Sequence, residues 1–121
     1  MNEIIKSMIM KSVTRGRVRY GLDGDTITKV WNQGNGRLAL FTIQNDALVV
    51  NAGLWRKTDA ALACVILRAT DSIKRIVAVD YGYPYYYNHA FGLHNPPASE
   101  VTERRIKRDI ADYGKRSQNA A

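Results

Sequence analysis

The chain has 121 residues, of which 45% are hydrophobic and 24% charged, and its net charge is +7. This length holds one domain with one core, and the composition excludes an intrinsically disordered chain. The single cysteine, Cys64, lies inside an apolar run at 62–67, so no internal disulfide can form and we expect a buried thiol.

The amino-terminal residues are apolar, but Lys6 and Lys11 interrupt them and no small-residue cleavage site follows. They make a poor signal peptide, and no apolar run reaches the length of a transmembrane helix. We therefore expect a cytoplasmic protein with no membrane partner. The excess of basic residues favours a polyanionic partner. Nucleic acid is the first candidate for that partner, and an anionic lipid surface is the second.

The chain opens with a predicted helix and a predicted hairpin. Apolar residues at positions 4, 5, 8 and 9 predict an amphipathic helix over 2–11. The strands predicted at 17–22 and 26–31 flank Asp23-Gly24, a dipeptide suited to a tight turn. A second hairpin is predicted around Asn45-Asp46.

The turn at Asp23-Gly24 predicts that Tyr20 lies opposite Ile27, with Arg17 and Arg19 on the other face. A two-stranded ribbon with cations on one face can lie along a nucleic-acid groove. The same charges can instead protect an edge hairpin from unwanted strand pairing. The candidate binding residues of this region are Arg15, Arg17, Arg19 and Lys29.

A crossover helix connects the second hairpin to the last predicted strand. Thr58 is a good N-cap and Asp59 in the first turn favours the helix dipole, so a helix is predicted to about Ala69. Residues 74–83 are rich in apolar side chains and predict a strand at the centre of the sheet. The pattern predicts one α+β domain over 1–114, with a mainly antiparallel sheet of about five strands packed by N-terminal, middle and C-terminal helices.

The most concentrated feature is the segment 79–94, which holds five of the seven tyrosines and both histidines. Tyr81 and Tyr83 would continue one face of the predicted strand and pack inward. Tyrosines beyond the strand can stack unpaired bases or anchor a protein interface. The tyrosines expected to be exposed are Tyr85, Tyr86 and Tyr87.

The two histidines lie in the same segment. The spacing of Asp80, His89 and His94 matches no zinc signature, so no metal or other cofactor is predicted. His89 is a further candidate for contact with a binding partner. A metal-independent ribonuclease that uses a histidine with a tyrosine and an arginine remains the enzymatic alternative.

The last predicted helix is basic. It runs from Glu100 to about Tyr113 after an N-cap at Ser99, with Gly114 as its C-terminal cap and 115–121 as a flexible polar tail. Arginine forks match phosphate oxygens and carboxylates in bidentate geometry. The candidate binding residues on this helix are Arg104, Arg105, Lys107 and Arg108.

A solvated face is the competing interpretation of these cations. Acidic residues lie four positions away from three of them, which allows ion pairs along the helix surface. The predicted pairs are Glu100 with Arg104, Arg105 with Asp109, and Arg108 with Asp112.

Residues 47–58 read as a strand, then Asn51-Ala52-Gly53-Leu54-Trp55, then a Thr-capped helix. This unit, about a tenth of the chain, resembles a segment of small uncharacterised phage and mobile-element proteins. The resemblance implies that the protein acts in the host cytosol. It does not identify any catalytic residue. Such proteins often bind nucleic acid or host defence machinery such as CRISPR effector complexes.

These features predict a non-enzymatic binding protein. In the leading hypothesis, cations of the first hairpin and the last helix hold a phosphate backbone while Tyr85, Tyr86 and Tyr87 stack or fill a groove. In the alternative, the same tyrosines and arginines form an interface that inhibits a nucleic-acid-processing host protein complex, in the manner of an anti-CRISPR protein. The ribonuclease is the third hypothesis.

Overall fold

A five-stranded sheet with three α-helices makes up the fold in the computed structural model, which describes residues 3–15, 18–31, 36–79 and 100–119. The predicted α+β class and the mainly antiparallel sheet are confirmed. The helices are α1 (Glu3–Arg15), α2 (Ala60–Ala69) and α3 (Glu100–Asn119), and a 3-10 turn at Lys57–Asp59 precedes α2. The strands are β1 (Tyr20–Asp23), β2 (Thr26–Trp31), β3 (Gly36–Gln44), β4 (Ala47–Asn51) and β5 (Arg75–Val79).

The strands are arranged in the sheet in chain order, β1-β2-β3-β4-β5. The first four pair antiparallel, and α2 carries the chain across so that β5 pairs parallel to β4. Because β3 occupies the other side of β4, β5 takes an edge of the sheet that the described strands form, and its predicted central position is wrong. Tyr81 and Tyr83, predicted to extend it, lie outside the described residues.

The register of the first hairpin is shifted by two residues from the predicted one. Tyr20 pairs with Lys29 instead of Ile27, and the loop is Gly24-Asp25. Gly24 has a φ of 60°, the left-handed region that glycine enters at little steric cost. Residues paired across an antiparallel ladder share a face, so Lys29 lies beside Tyr20 on the core side. The expectation that the hairpin cations share one exposed face is therefore wrong for Lys29.

The core lies between the sheet and the three helices. It takes Ile5 and Ile9 from α1, Leu62 and Ile66 from α2, and Ile106 from α3. Leu62 and Ile66 are buried on α2, and Val65 and Ala69 are half-buried beside them. Cys64 is buried as expected, and burial raises the pKa of its thiol. None of the described helices combines the length and the apolar content needed to cross a bilayer.

The last helix is longer than its sequence predicts. It continues through Gly114 to Asn119, so the predicted cap at Gly114 is wrong and residues 115–119 are helical instead of a tail. The first helix is longer too, reaching Arg15 instead of Lys11.

Replacing Gly114 by alanine should raise the free energy of unfolding by about 0.5–1 kcal/mol, because glycine inside a helix loses more backbone entropy than alanine. A Cβ at this position meets nothing within 4 Å. Urea-induced unfolding measures the change. Gly24→Ala is the control with the opposite sign, since its φ of 60° strains an L-residue. A loss of stability in Gly114→Ala would contradict a helix that continues past this residue.

Candidate functional site

An open groove lies between α3 and the segment Trp55–Lys57. Its main depression has a volume of ≈ 250 Å³, and a smaller one of ≈ 50 Å³ adjoins it. Lys57 and Asp109 line both depressions, so we treat them as one surface and call it the α3 groove. The main depression is also lined by Trp55, Arg56, Arg105 and Arg108, and the smaller one by Asp112, Tyr113 and Arg116.

The periodicity of α3 places these side chains in the groove. Residues three or four apart on a helix lie on one face, which brings Arg105, Arg108 and Arg116 into one row. Ile106, which is fully buried, and Ile110 point toward the core on a neighbouring face. The packing of that apolar face therefore fixes which cations border the segment Trp55–Lys57.

The cations of α3 fall into two groups. On the outer face, Arg104 pairs with Glu100 at 3.5 Å, as predicted, and Lys107 pairs with Glu103 at 2.9 Å. The pairs predicted for Arg105 and Arg108 are not formed, and neither makes an ion pair with any described residue. A solvated, internally paired face thus accounts for the outer cations and leaves the groove cations free to meet an external anion.

Trp55 fixes one wall of the groove to the other. Its side chain is 2% exposed and packs edge-on against Phe41, with ring centroids 6.0 Å apart and an interplanar angle of 81°. Its Nε1–H donates to Oδ2 of Asp109 at 3.1 Å. This hydrogen bond occupies one oxygen of a carboxylate that lines the groove with Arg105 and Arg108, and it links the segment that carries Arg56 and Lys57 to α3.

A buried polar network supports the segment from behind. The Asp59 carboxylate is completely buried, and its Oδ1 accepts a hydrogen bond from the Tyr20 hydroxyl at 2.7 Å. Its Oδ2 accepts from Nζ of Lys29 at 3.0 Å and from the backbone N–H of Arg56 at 2.8 Å. Lys29 also reaches the Leu54 carbonyl at 3.4 Å. The network therefore fastens the first hairpin to the turn that carries Arg56.

Burial raises the pKa of Tyr20 well above its ordinary value, and the neighbouring Asp59 carboxylate raises it further. A charged phenolate would be poorly solvated there and repelled by the carboxylate. The hydroxyl therefore stays protonated and donates to Asp59 throughout the neutral range.

Three residues of this region have roles other than the predicted ones. The Lys29 side chain is only 12% exposed and is paired with Asp59, instead of lying on an open basic face. Thr58 does not cap the helix but lies inside the 3-10 turn, and the N-cap of α2 is Asp59. The carboxylate of Asp59 can be buried because Lys29, Tyr20 and the backbone of Arg56 donate hydrogen bonds to it. The prediction that Asp59 favours the helix dipole did not include this burial.

The other predicted binding residues are dispersed. Arg104, Arg105, Lys107 and Arg108 are exposed on α3, and Arg105 and Arg108 alone of these line the groove. Arg19 is exposed ahead of β1 and does not line it. Arg15 is the last residue of α1, and its side chain is not among those that the structure describes. The predicted residues outside the described part of the chain are Arg17, Tyr85, Tyr86, Tyr87 and His89.

The groove also contains residues that sequence reasoning did not select. Arg56 and Lys57 are adjacent cations between a tryptophan and a predicted helix. This pattern indicates a basic turn, but it does not indicate which part of the protein the turn lies against. Arg116 belonged to the predicted tail, and Tyr113 was only the last residue of the predicted helix. Tyr113 is 39% exposed.

Among the described residues, no group of His, Cys, Asp and Glu side chains is arranged to hold a metal ion. The earlier candidates Asp80, His89 and His94 lie outside those residues. Comparisons with protein-family models, curated proteins and solved structures find no match to the chain. The resemblance of residues 47–58 to phage and mobile-element proteins thus stays an expectation.

Proposed function

We propose that this protein binds nucleic acid by holding the phosphate backbone of a strand in the α3 groove. The observation that carries the proposal is the division of the cations on α3. Those on the outer face are paired with glutamates, whereas Arg105 and Arg108 face the groove without an ion pair to any described residue. An external anion is the partner that this arrangement suits.

The chemistry of the lining supports phosphate as that anion. The groove brings five cations and two carboxylates together, and Asp109 already accepts a hydrogen bond from Trp55. Guanidinium groups bind phosphate oxygens in bidentate geometry, and a concave surface strengthens the field of its charges. The chain as a whole carries a charge of +7, which would favour the approach of a polyanion.

The dimensions of the groove suit a strand. At 1.5 Å per residue, the helix rises about 16.5 Å between Arg105 and Arg116. A strand carries one phosphate per nucleotide, so more than one phosphate fits along this length. The buried network at Asp59 and the Trp55–Asp109 hydrogen bond hold both walls in place, and such preorganisation lowers the entropy lost on binding.

Replacing Arg105 and Arg108 together by glutamine should weaken oligonucleotide binding and flatten its salt dependence. Glutamine removes the charge and keeps part of the stem, so the groove should retain its shape. Each lost phosphate contact lowers the slope of log K against log [salt] by about 0.9 for a duplex or 0.7 for a single strand. Fluorescence anisotropy from about 50 to 300 mM salt, with labelled single-stranded and duplex oligonucleotides, measures both effects.

The matched control is Arg104→Gln with Lys107→Gln. It lies on the same helix and removes the same formal charge, but both cations are paired with glutamates on the outer face. The control should change affinity and slope far less than the groove variant. If both variants weakened binding equally, affinity would depend only on the overall charge of the protein, and the groove would not be the binding site. If the wild-type protein binds neither oligonucleotide at the lowest salt, the proposed function is wrong, and a protein partner becomes the hypothesis to test by pull-down.

A further inference from the structure

Tyr113 lies at one end of the α3 groove, among residues that differ in chemistry from the rest of its lining. The main depression combines Arg56, Arg105 and Arg108, whereas the smaller one places Tyr113 beside Asp112 and Arg116. Tyr113 is 39% exposed, which makes it one of four large hydrophobic side chains exposed among the described residues. An aromatic ring and a carboxylate at the end of a cationic groove suit a ligand that has both an anionic part and a flat, hydrogen-bonding part.

An unpaired nucleotide has these two parts. Its phosphate suits the cations, and its flat base suits the ring of a tyrosine, because stacking on an aromatic side chain needs no particular sequence. The exposed carboxylate of Asp112 can accept a hydrogen bond from a base amino group, whereas it repels phosphate. A purely phosphate-binding groove would gain nothing from either side chain.

A duplex cannot use this end of the groove in the same way. Apart from the two end pairs, its bases are stacked on one another inside the helix and present only their edges, so no base face is available to Tyr113 along the duplex. A single strand can turn one base onto the ring while the neighbouring phosphates stay beside Lys57 and Arg116, which line the same depression.

We infer that the α3 groove takes single-stranded nucleic acid and that Tyr113 stacks on one unpaired base. The inference rests on the proposed function, since the cations supply the common affinity for both forms of nucleic acid. Tyr113 would supply the preference for the single strand.

Replacing Tyr113 by alanine should lower the affinity for a mixed-sequence single-stranded 12-mer by about 5- to 150-fold, the range expected when one stacked base is lost. Affinity for a duplex of the same length should change less than about twofold, the size of effect expected when no stacking contact is lost. Tyr113→Phe should retain single-strand binding, because phenylalanine keeps the ring and loses only the hydroxyl. Fluorescence anisotropy at one fixed salt concentration measures all three.

An abasic strand with the same number of phosphates separates stacking from charge. The wild-type protein should bind it more weakly than the 12-mer, and Tyr113→Ala should bind it as well as the wild type does. Unfolding midpoints of the variants, expected to match the wild type because Tyr113 is partly exposed, show that the groove is intact. If Tyr113→Ala weakens binding of the single strand and of the duplex equally, or weakens the binding of neither, the stacking inference is overturned while the proposed function stands. If the wild type binds no nucleic acid, both fall.

Discussion

Replacing Asp59 by asparagine should lower the free energy of unfolding by about 3–5 kcal/mol, because removing one partner of a buried ion pair leaves the other charge uncompensated. The carboxylate is completely buried and accepts hydrogen bonds from Tyr20, Lys29 and the backbone of Arg56. An amide turns an N–H group toward at least one of these donors, where the carboxylate offers only acceptors. Urea-induced unfolding followed by far-UV circular dichroism measures the loss.

Asp46→Asn is the matched control for this substitution. Asp46 pairs with Arg75 at 3.1 Å, nearly the distance of the Lys29–Asp59 pair, but the two side chains are 52% and 61% exposed. Exposed pairs contribute at most about 1 kcal/mol, so the control should lose little stability. Adding Lys29→Met to Asp59→Asn should recover part of the loss, because the ammonium that lacked a counter-charge is then gone. Equal losses in Asp59→Asn and Asp46→Asn would contradict the role of the buried network.

Replacing Trp55 by alanine should lower the free energy of unfolding by about 3–5 kcal/mol, the range for removing a large aromatic side chain from a core. The side chain is 2% exposed, meets Phe41 edge-on and donates a hydrogen bond to Asp109. Its loss leaves a cavity under the segment that carries Arg56 and Lys57, and it frees one wall of the groove. We therefore expect weaker oligonucleotide binding as well, although no charge is removed, when the variant is assayed where it remains folded.

Asp109→Asn tests how much of this effect belongs to the hydrogen bond. Asparagine keeps a carbonyl oxygen that can accept from Nε1 of Trp55, so stability should change by about 1 kcal/mol or less. Urea-induced unfolding compares the two variants. If Trp55→Ala unfolded at the wild-type urea concentration, Trp55 would not anchor the core. If Asp109→Asn lost as much as Trp55→Ala, the charge of Asp109 would matter more than the packing of the ring.

The parts of the candidate site that were predictable are those whose chemistry is local. Arg105 and Arg108 were selected together with Arg104 and Lys107 as the cations of a basic helix, and the pair of Glu100 with Arg104 follows from four residues of separation. Spacing alone could not separate paired from unpaired cations, because Asp109 was equally available to Arg105 and to a distant tryptophan. The structure assigns it to Trp55, 54 positions away.

The sequence by itself determined that three helices, two hairpins and a buried Cys64 occur, but not where the first and last helices end or which register the first hairpin takes. Alternation, helical periodicity and turn chemistry act between residues close in the chain, as at Asn45, whose φ of 53° suits the turn predicted there.

Only the tertiary structure decided which charges are buried, which are paired and which share the groove. Lys29 looked like a surface cation and became the partner of Asp59, 30 positions later, when the hairpin packed against the 3-10 turn. Arg56 and Lys57 joined the arginines of α3 because Trp55 is held to that helix. Such contacts depend on packing between distant segments, and no local pattern in the chain encodes them.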